Sequence, residues 1–185
     1  MIIYIHGFGS SGEGIKAKLF RKYFKEKGIR FIAPSLSYIP ELAIKTLEEL
    51  IESYDKEDVQ LMGSSLGGFY SIYLSNKYNL KAVLINPSIY PYKTLPKVLG
   101  NAPSFHDESS FTWMQFHIAS LKEYEVTSPI DTNFMLLTQK GDETLNFEEA
   151  VKKLPDAYTI IEEGGSHSFD GIERHFENVE IFFKK

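Results

Sequence analysis

The sequence predicts an α/β fold: a mostly parallel sheet of about six strands with helices on both faces. Two patterns carry this reading. Short apolar runs without polar alternation recur along the chain, and stretches with a helical apolar stripe separate them. Its 185 residues suit one domain, 1–185, and 43% hydrophobic content is enough for a core on each face of a sheet.

The apolar runs fall at 2–5, 30–33, 59–62, 82–85, 134–137 and 158–161. Each reads as a strand buried on both faces. Ile15, Leu19 and Tyr23 with Phe20 and Phe24 form one helical stripe. Ala43, Leu47, Leu50, Ile51 and Tyr54 form a second, and Ile172, Phe176, Val179 and Phe183 a third. Strands that alternate with helices imply right-handed crossovers, so the loops after the strand C-terminal ends should hold the site. The stretch 88–130 interrupts the alternation with Pro91, Pro96, Pro103, Pro129 and several aromatics, Trp113 among them. It reads as an insertion forming a partly helical lid over the site, with ordinary packing against the sheet edge as the open alternative.

Charge and composition narrow the chemistry. Twenty basic and 25 acidic side chains give a net charge of −5, with no basic run that could follow a phosphate backbone. Nucleic acid is therefore not an expected partner. Without cysteine there is no disulfide, thiolate metal site or cysteine nucleophile. The start Met1-Ile2-Ile3-Tyr4-Ile5 lacks the cationic and apolar regions of a secretory signal, and no stretch reaches the roughly 20 apolar residues that span a bilayer. The expectation is a cytoplasmic protein.

Gly63-Ser64-Ser65-Leu66-Gly67-Gly68 follows one predicted strand and precedes a helical stretch from about Phe69. That is the strand, sharp turn and helix of a nucleophile elbow, with Ser65 at its tip. Gly63 and Gly67 keep the neighbours two positions either side free of side chains. Taken alone the motif recurs by chance. A serine nucleophile also needs a histidine base and an acid, in the order serine, acid, histidine. Asp142 follows the run at 134–137, and His167 follows the run at 158–161. Glu143 is an alternative acid. Asp170 reads as a cap of the last helix and His175 as a residue within it, while His106 and His117 belong to the insertion. After the first strand, His6-Gly7-Phe8-Gly9 is a His-Gly hydrolase loop, so the backbone amides of Phe8 and Leu66 are the expected oxyanion donors. Gly7, Gly9 and Gly12 also fit a dinucleotide-binding frame, but Pro34 and Ser35 stand where an acidic residue should end the second strand.

These residues resemble the YqiA-like small bacterial esterases of the α/β-hydrolase superfamily. The resemblance rests on Tyr4-Ile5-His6-Gly7-Phe8, the elbow from Gly63, Asn86-Pro87, Gly141-Asp142-Glu143 and Glu163-Gly164-Gly165-Ser166-His167. It implies a reduced α/β-hydrolase fold without the leading antiparallel strands. It also implies hydrolysis of a small-molecule ester or thioester, acyl-CoA included. Where the group often has Asn before the histidine, this chain has Ser166. The expected site is therefore Ser65, Asp142 and His167 with the Phe8 and Leu66 amides, needing no metal or organic cofactor. Two rivals stand beside it: a C–C or amide-bond hydrolase on the same fold, and a silent hydrolase fold that binds a partner.

Overall fold

The computed structural model describes residues 1–184. The chain runs β1 (Ile2–Ile5), α1 (Ile15–Glu26), β2 (Phe31–Ile32), α2 (Pro40–Glu52), β3 (Gln60–Ser65), α3 (Leu66–Tyr78) and β4 (Ala82–Pro87). A segment with α4 (Pro91–Thr94), β5 (Gly100–Pro103), β6 (Ser110–Trp113) and α5 (Gln115–Leu121) follows. The chain then closes with β7 (Phe134–Gln139), α6 (Phe147–Lys153), β8 (Tyr158–Glu162) and α7 (Phe176–Lys184). Six strands form one sheet in the order β2-β1-β3-β4-β7-β8, every pair parallel, while β5 and β6 make a separate antiparallel hairpin.

Alternate strand residues face opposite sides, which divides the core in two. Ile3, Ile5, Leu61, Leu84 and Leu136 pack with α2, α3, α5 and α6. Ile2, Tyr4, Met62, Val83 and Met135 pack with α1 and α7. All six apolar runs became strands of this sheet. The expectation of burial on both faces holds for the four inner strands and fails at the edges. In β8, Tyr158 is 51% and Ile161 41% exposed, because an edge strand has a neighbour on one side only.

In α1 the buried stripe is Ala17, Phe20 and Phe24, so Ile15, expected in the core, is 79% exposed. Full burial of each phenylalanine contributes about 1.5–3 kcal/mol relative to exposure. The segment after β4 contains short helices, as expected of a partly helical insertion, but also the β5–β6 hairpin, which was not expected. Ala102, Trp113, Ile118 and Leu121 from this segment join the core beside α2 and α3. At the tip of the hairpin, the Phe105 amide donates to the Gly9 carbonyl at 2.7 Å, seating it on the loop after β1. No helix among the described residues is long and apolar enough to cross a membrane.

Candidate active site

Helix α3 starts at Leu66, directly after Ser65 and earlier than the glycines suggest. The helix can begin there because the elbow glycines are sites of close approach. A Cβ at Gly67 would overlap the Ile5 carbonyl of β1, and one at Gly63 would overlap the Gly67 carbonyl. Bare backbone thus lets α3 lie against β1 and β3. Ser65 takes φ 55° and ψ −122°, a conformation that costs a non-glycine residue about 1–3 kcal/mol. Its carbonyl is held by the Ser88 amide at 3.0 Å, just beyond β4.

Three strand ends bring the expected side chains together. His167 Nε2 lies 3.0 Å from Ser65 Oγ, and His167 Nδ1 lies 2.8 Å from Asp142 Oδ2. The other carboxylate oxygen of Asp142 accepts the amides of Thr144 and Leu145, each at 2.8 Å. Both oxygens are therefore occupied, and the Asp142 side chain is only 3% exposed. Burial favours its neutral form, yet the hydrogen bonds from His167, Leu145 and Thr144 outweigh burial and hold the carboxyl below its ordinary value. Glu143 is elsewhere engaged, since its carboxylate accepts the backbone amide of His167 at 3.0 Å. It holds the loop and leaves the ring to Asp142.

Gly7 lies against the serine: a Cβ there would stand 3.1 Å from Ser65 Cβ and 3.5 Å from Oγ. The Phe8 amide follows immediately, and Leu66, as the first residue of α3, has an amide without an intrahelical acceptor. Both expected oxyanion donors are thus beside Ser65. His6 fixes this loop. Its Nε2 accepts the Leu36 amide at 2.9 Å, which requires a neutral ring whose Nδ1 donates to the Gly7 carbonyl at 2.9 Å.

Burial lowers the His6 pKa below 6.5, the Gly7 carbonyl only partly offsetting it. As pH falls through 6.5 the unfolded chain takes up a proton that the folded chain refuses, so stability is lost on the acid side. His6→Gln, which cannot titrate, should therefore lose less stability than the native chain when urea unfolding is compared at neutral and mildly acidic pH. An equal loss in both would contradict the assignment.

Comparison with known proteins agrees with this architecture. The family described as "Uncharacterised protein family (UPF0227)" matches residues 1–184. The chain belongs to the UPF0227 family. It is 25% identical over 186 residues to the UPF0227 protein VP0969 of Vibrio parahaemolyticus and 22% identical to YcfP of Escherichia coli, with 98% of both chains covered in each case. In fold this UPF0227 chain is similar to mouse alpha/beta hydrolase domain-containing protein 10, with a TM-score of 0.78 at 20% identity over 99% of this chain and 89% of that one. Est1E from Butyrivibrio proteoclasticus, solved with ferulic acid bound, gives a TM-score of 0.72 at 14% identity, over 99% and 86%. The UPF0227 chain has the α/β-hydrolase fold, as its motifs led one to expect.

Around these side chains the UPF0227 chain builds a support that sequence reasoning did not identify. Asn86, buried at the end of β4 with φ 39°, donates through Nδ2 to the carbonyls of Ser166 at 2.9 Å and His167 at 3.3 Å. Its Oδ1 accepts the Gln139 amide at 3.0 Å. Gln139 in turn accepts the amides of Ser166 at 3.1 Å and Asp170 at 2.8 Å. From α1, Lys16 donates to the Ser168 carbonyl at 2.8 Å, and burial pushes its ammonium down to about 8 against the pull of Asp142. Asp170 does not cap a helix, because its carboxylate accepts the Ser166 hydroxyl at 2.7 Å and closes the loop on itself. His175 packs edge-on against Phe169 and pairs with Glu162 at 3.0 Å, away from the serine. His106 pairs with Ser11 at 3.1 Å, and His117 packs at a tilt against Trp113, ring centroids 4.9 Å apart. Among the described residues no group of His, Asp and Glu side chains is arranged to hold a metal ion.

Proposed function

We propose that this protein is a serine hydrolase that cleaves carboxylic esters or thioesters, acyl-CoA among them, by way of an acyl-enzyme. The observation that carries the reading is the unbroken relay from Asp142 through His167 to Ser65, at 2.8 and 3.0 Å. Similarity in fold to Est1E, solved with ferulic acid bound, supports an ester or a related acyl derivative as substrate.

In this mechanism Ser65 Oγ attacks the carbonyl carbon as its proton passes to His167 Nε2, and Asp142 stabilises the resulting imidazolium. The amides of Phe8 and Leu66 hold the oxyanion, helped by the positive end of α3. Collapse of the tetrahedral species expels the alcohol or thiol, which takes its proton from His167. Water then gives a proton to His167 and attacks the acyl carbon, and collapse of the second tetrahedral species releases the acid as His167 returns that proton to the Ser65 oxygen. The steps balance with no cofactor.

A panel of a nitrophenyl ester, a CoA thioester and a nitroanilide tests the reading. The ester and the thioester should be cleaved and the anilide left intact. Cleavage of the anilide alone would turn the assignment toward amides, and cleavage of none would overturn it.

A further inference from the structure

A carbonyl carbon attacked by Ser65 has three other substituents to place. Its oxygen belongs between the Phe8 and Leu66 amides. Its leaving group must face His167, which protonates it. The acyl chain is left with the remaining direction, away from the histidine.

A cavity of about 140 Å³ is lined by Gly7, Phe8, Leu66, Tyr70, Tyr38 and Phe111 among others; it flanks Ser65 through Gly7 and Leu66, while Ser65, His167 and Asp142 themselves lie outside its wall. Leu66 and Tyr70 stand four apart on α3, so the cavity runs one helical turn, about 5.4 Å, along that face. Its wall is fixed by ring contacts. Phe8 packs edge-on to Phe111 at 5.3 Å and to the fully buried Trp113 at 4.9 Å, while Phe111 stacks on Tyr38 at 4.5 Å. Widening it would therefore disturb a packed aromatic cluster.

Size sets the first limit on what enters, since a cavity of about 150 Å³ is filled by a benzene ring. Polarity sets the second. Tyr70, a phenol in the lining, is 3% exposed. Burial raises the Tyr70 pKa far above the ordinary phenol range, so the group stays a neutral donor. A ligand oxygen that reaches a neutral donor in this wall gains a hydrogen bond that an all-carbon chain cannot make.

Resting on the reading of Ser65 as the acyl-accepting nucleophile, we propose that this cavity is the acyl subsite. Its substrates are short acyl esters or thioesters, of about six carbons or fewer, whose chain carries an oxygen that hydrogen-bonds to the Tyr70 hydroxyl.

The test is kcat/KM across nitrophenyl acetate, butyrate, hexanoate, octanoate and decanoate, followed by butyryl-CoA against β-hydroxybutyryl-CoA. The ester series should peak at butyrate or hexanoate and fall about tenfold or more beyond, because misfit by one methylene changes rates about 10- to 200-fold. Phe111→Ala should move the peak toward octanoate, with Phe111→Leu giving a smaller shift in the same direction if the alanine variant folds poorly. Tyr70→Phe should cut the ratio of kcat/KM for β-hydroxybutyryl-CoA to that for butyryl-CoA about tenfold. A profile that stays flat or rises to decanoate, or a hydroxy preference that Tyr70→Phe leaves unchanged, overturns the subsite while the hydrolase reading stands. No turnover of any ester or thioester overturns both.

Discussion

Ser65→Ala is expected to lower kcat on a nitrophenyl ester by about 10⁴- to 10⁶-fold with the fold intact. The hydroxyl is the only atom removed, and the oxyanion amides and the cavity remain, so a small residual rate should survive. Little stability should be lost, because His167 is 24% exposed and water can replace the serine as its partner. Ser65→Gly separates the two roles of the position further. It is equally inactive in this account, yet it relieves a backbone held at φ 55° and ψ −122°. Relief of roughly 1 kcal/mol corresponds to a rise of about 2–4 °C in Tm for a chain of this size. Circular dichroism melts and initial rates on the same samples give both answers. An active alanine variant would place the nucleophile elsewhere, and a glycine variant that melts lower would deny the strain.

Asp142→Asn should cost about 10⁴ in kcat, out of proportion to a change of one atom. The amides of Thr144 and Leu145 both donate to Asp142 Oδ1, so the asparagine would present its oxygen to them and its NH₂ to His167. The ring must then accept at Nδ1 and carry its proton on Nε2, where it can no longer take one from Ser65. Glu143→Gln provides the control. Its amide oxygen can still accept the His167 backbone N–H, so kcat should stay within about threefold. The reverse pattern, with Glu143→Gln inactive and Asp142→Asn active, would exchange the two acids.

The sheet was legible because its inner strands are buried on both faces and show it as unbroken apolar runs. Edges were less so: β8 carries the same kind of residues as β7, and only the sheet order decides that Tyr158 and Ile161 face outward. The β5–β6 hairpin hid for a different reason. Gly100-Asn101-Ala102-Pro103 has no strand propensity, and its pairing with 110–113 is stabilised by docking onto Gly9, a contact distant in sequence. Helix α6, capped by the Asn146 side chain, was short enough to pass as loop.

Within the site, Ser65, Asp142 and His167 could be named because each follows a strand and the order of the three loops is diagnostic. The roles of Asn86 and Gln139 could not, although Asn86-Pro87 was among the motifs that carried the resemblance. Their work is to tie one loop to another, and nothing in a linear sequence says which loops meet. The one available signal was polarity, since each is a buried amide at the end of an otherwise apolar strand.

The central claim is that the Asp142–His167 pair makes the hydroxyl of Ser65 nucleophilic, and covalent labelling tests it without any choice of substrate. After exposure to a fluorophosphonate, intact-protein mass and peptide mapping should show one adduct per chain, on Ser65, with labelling suppressed in His167→Ala. No adduct, an adduct on a residue other than Ser65, or equal labelling without His167 would contradict the account.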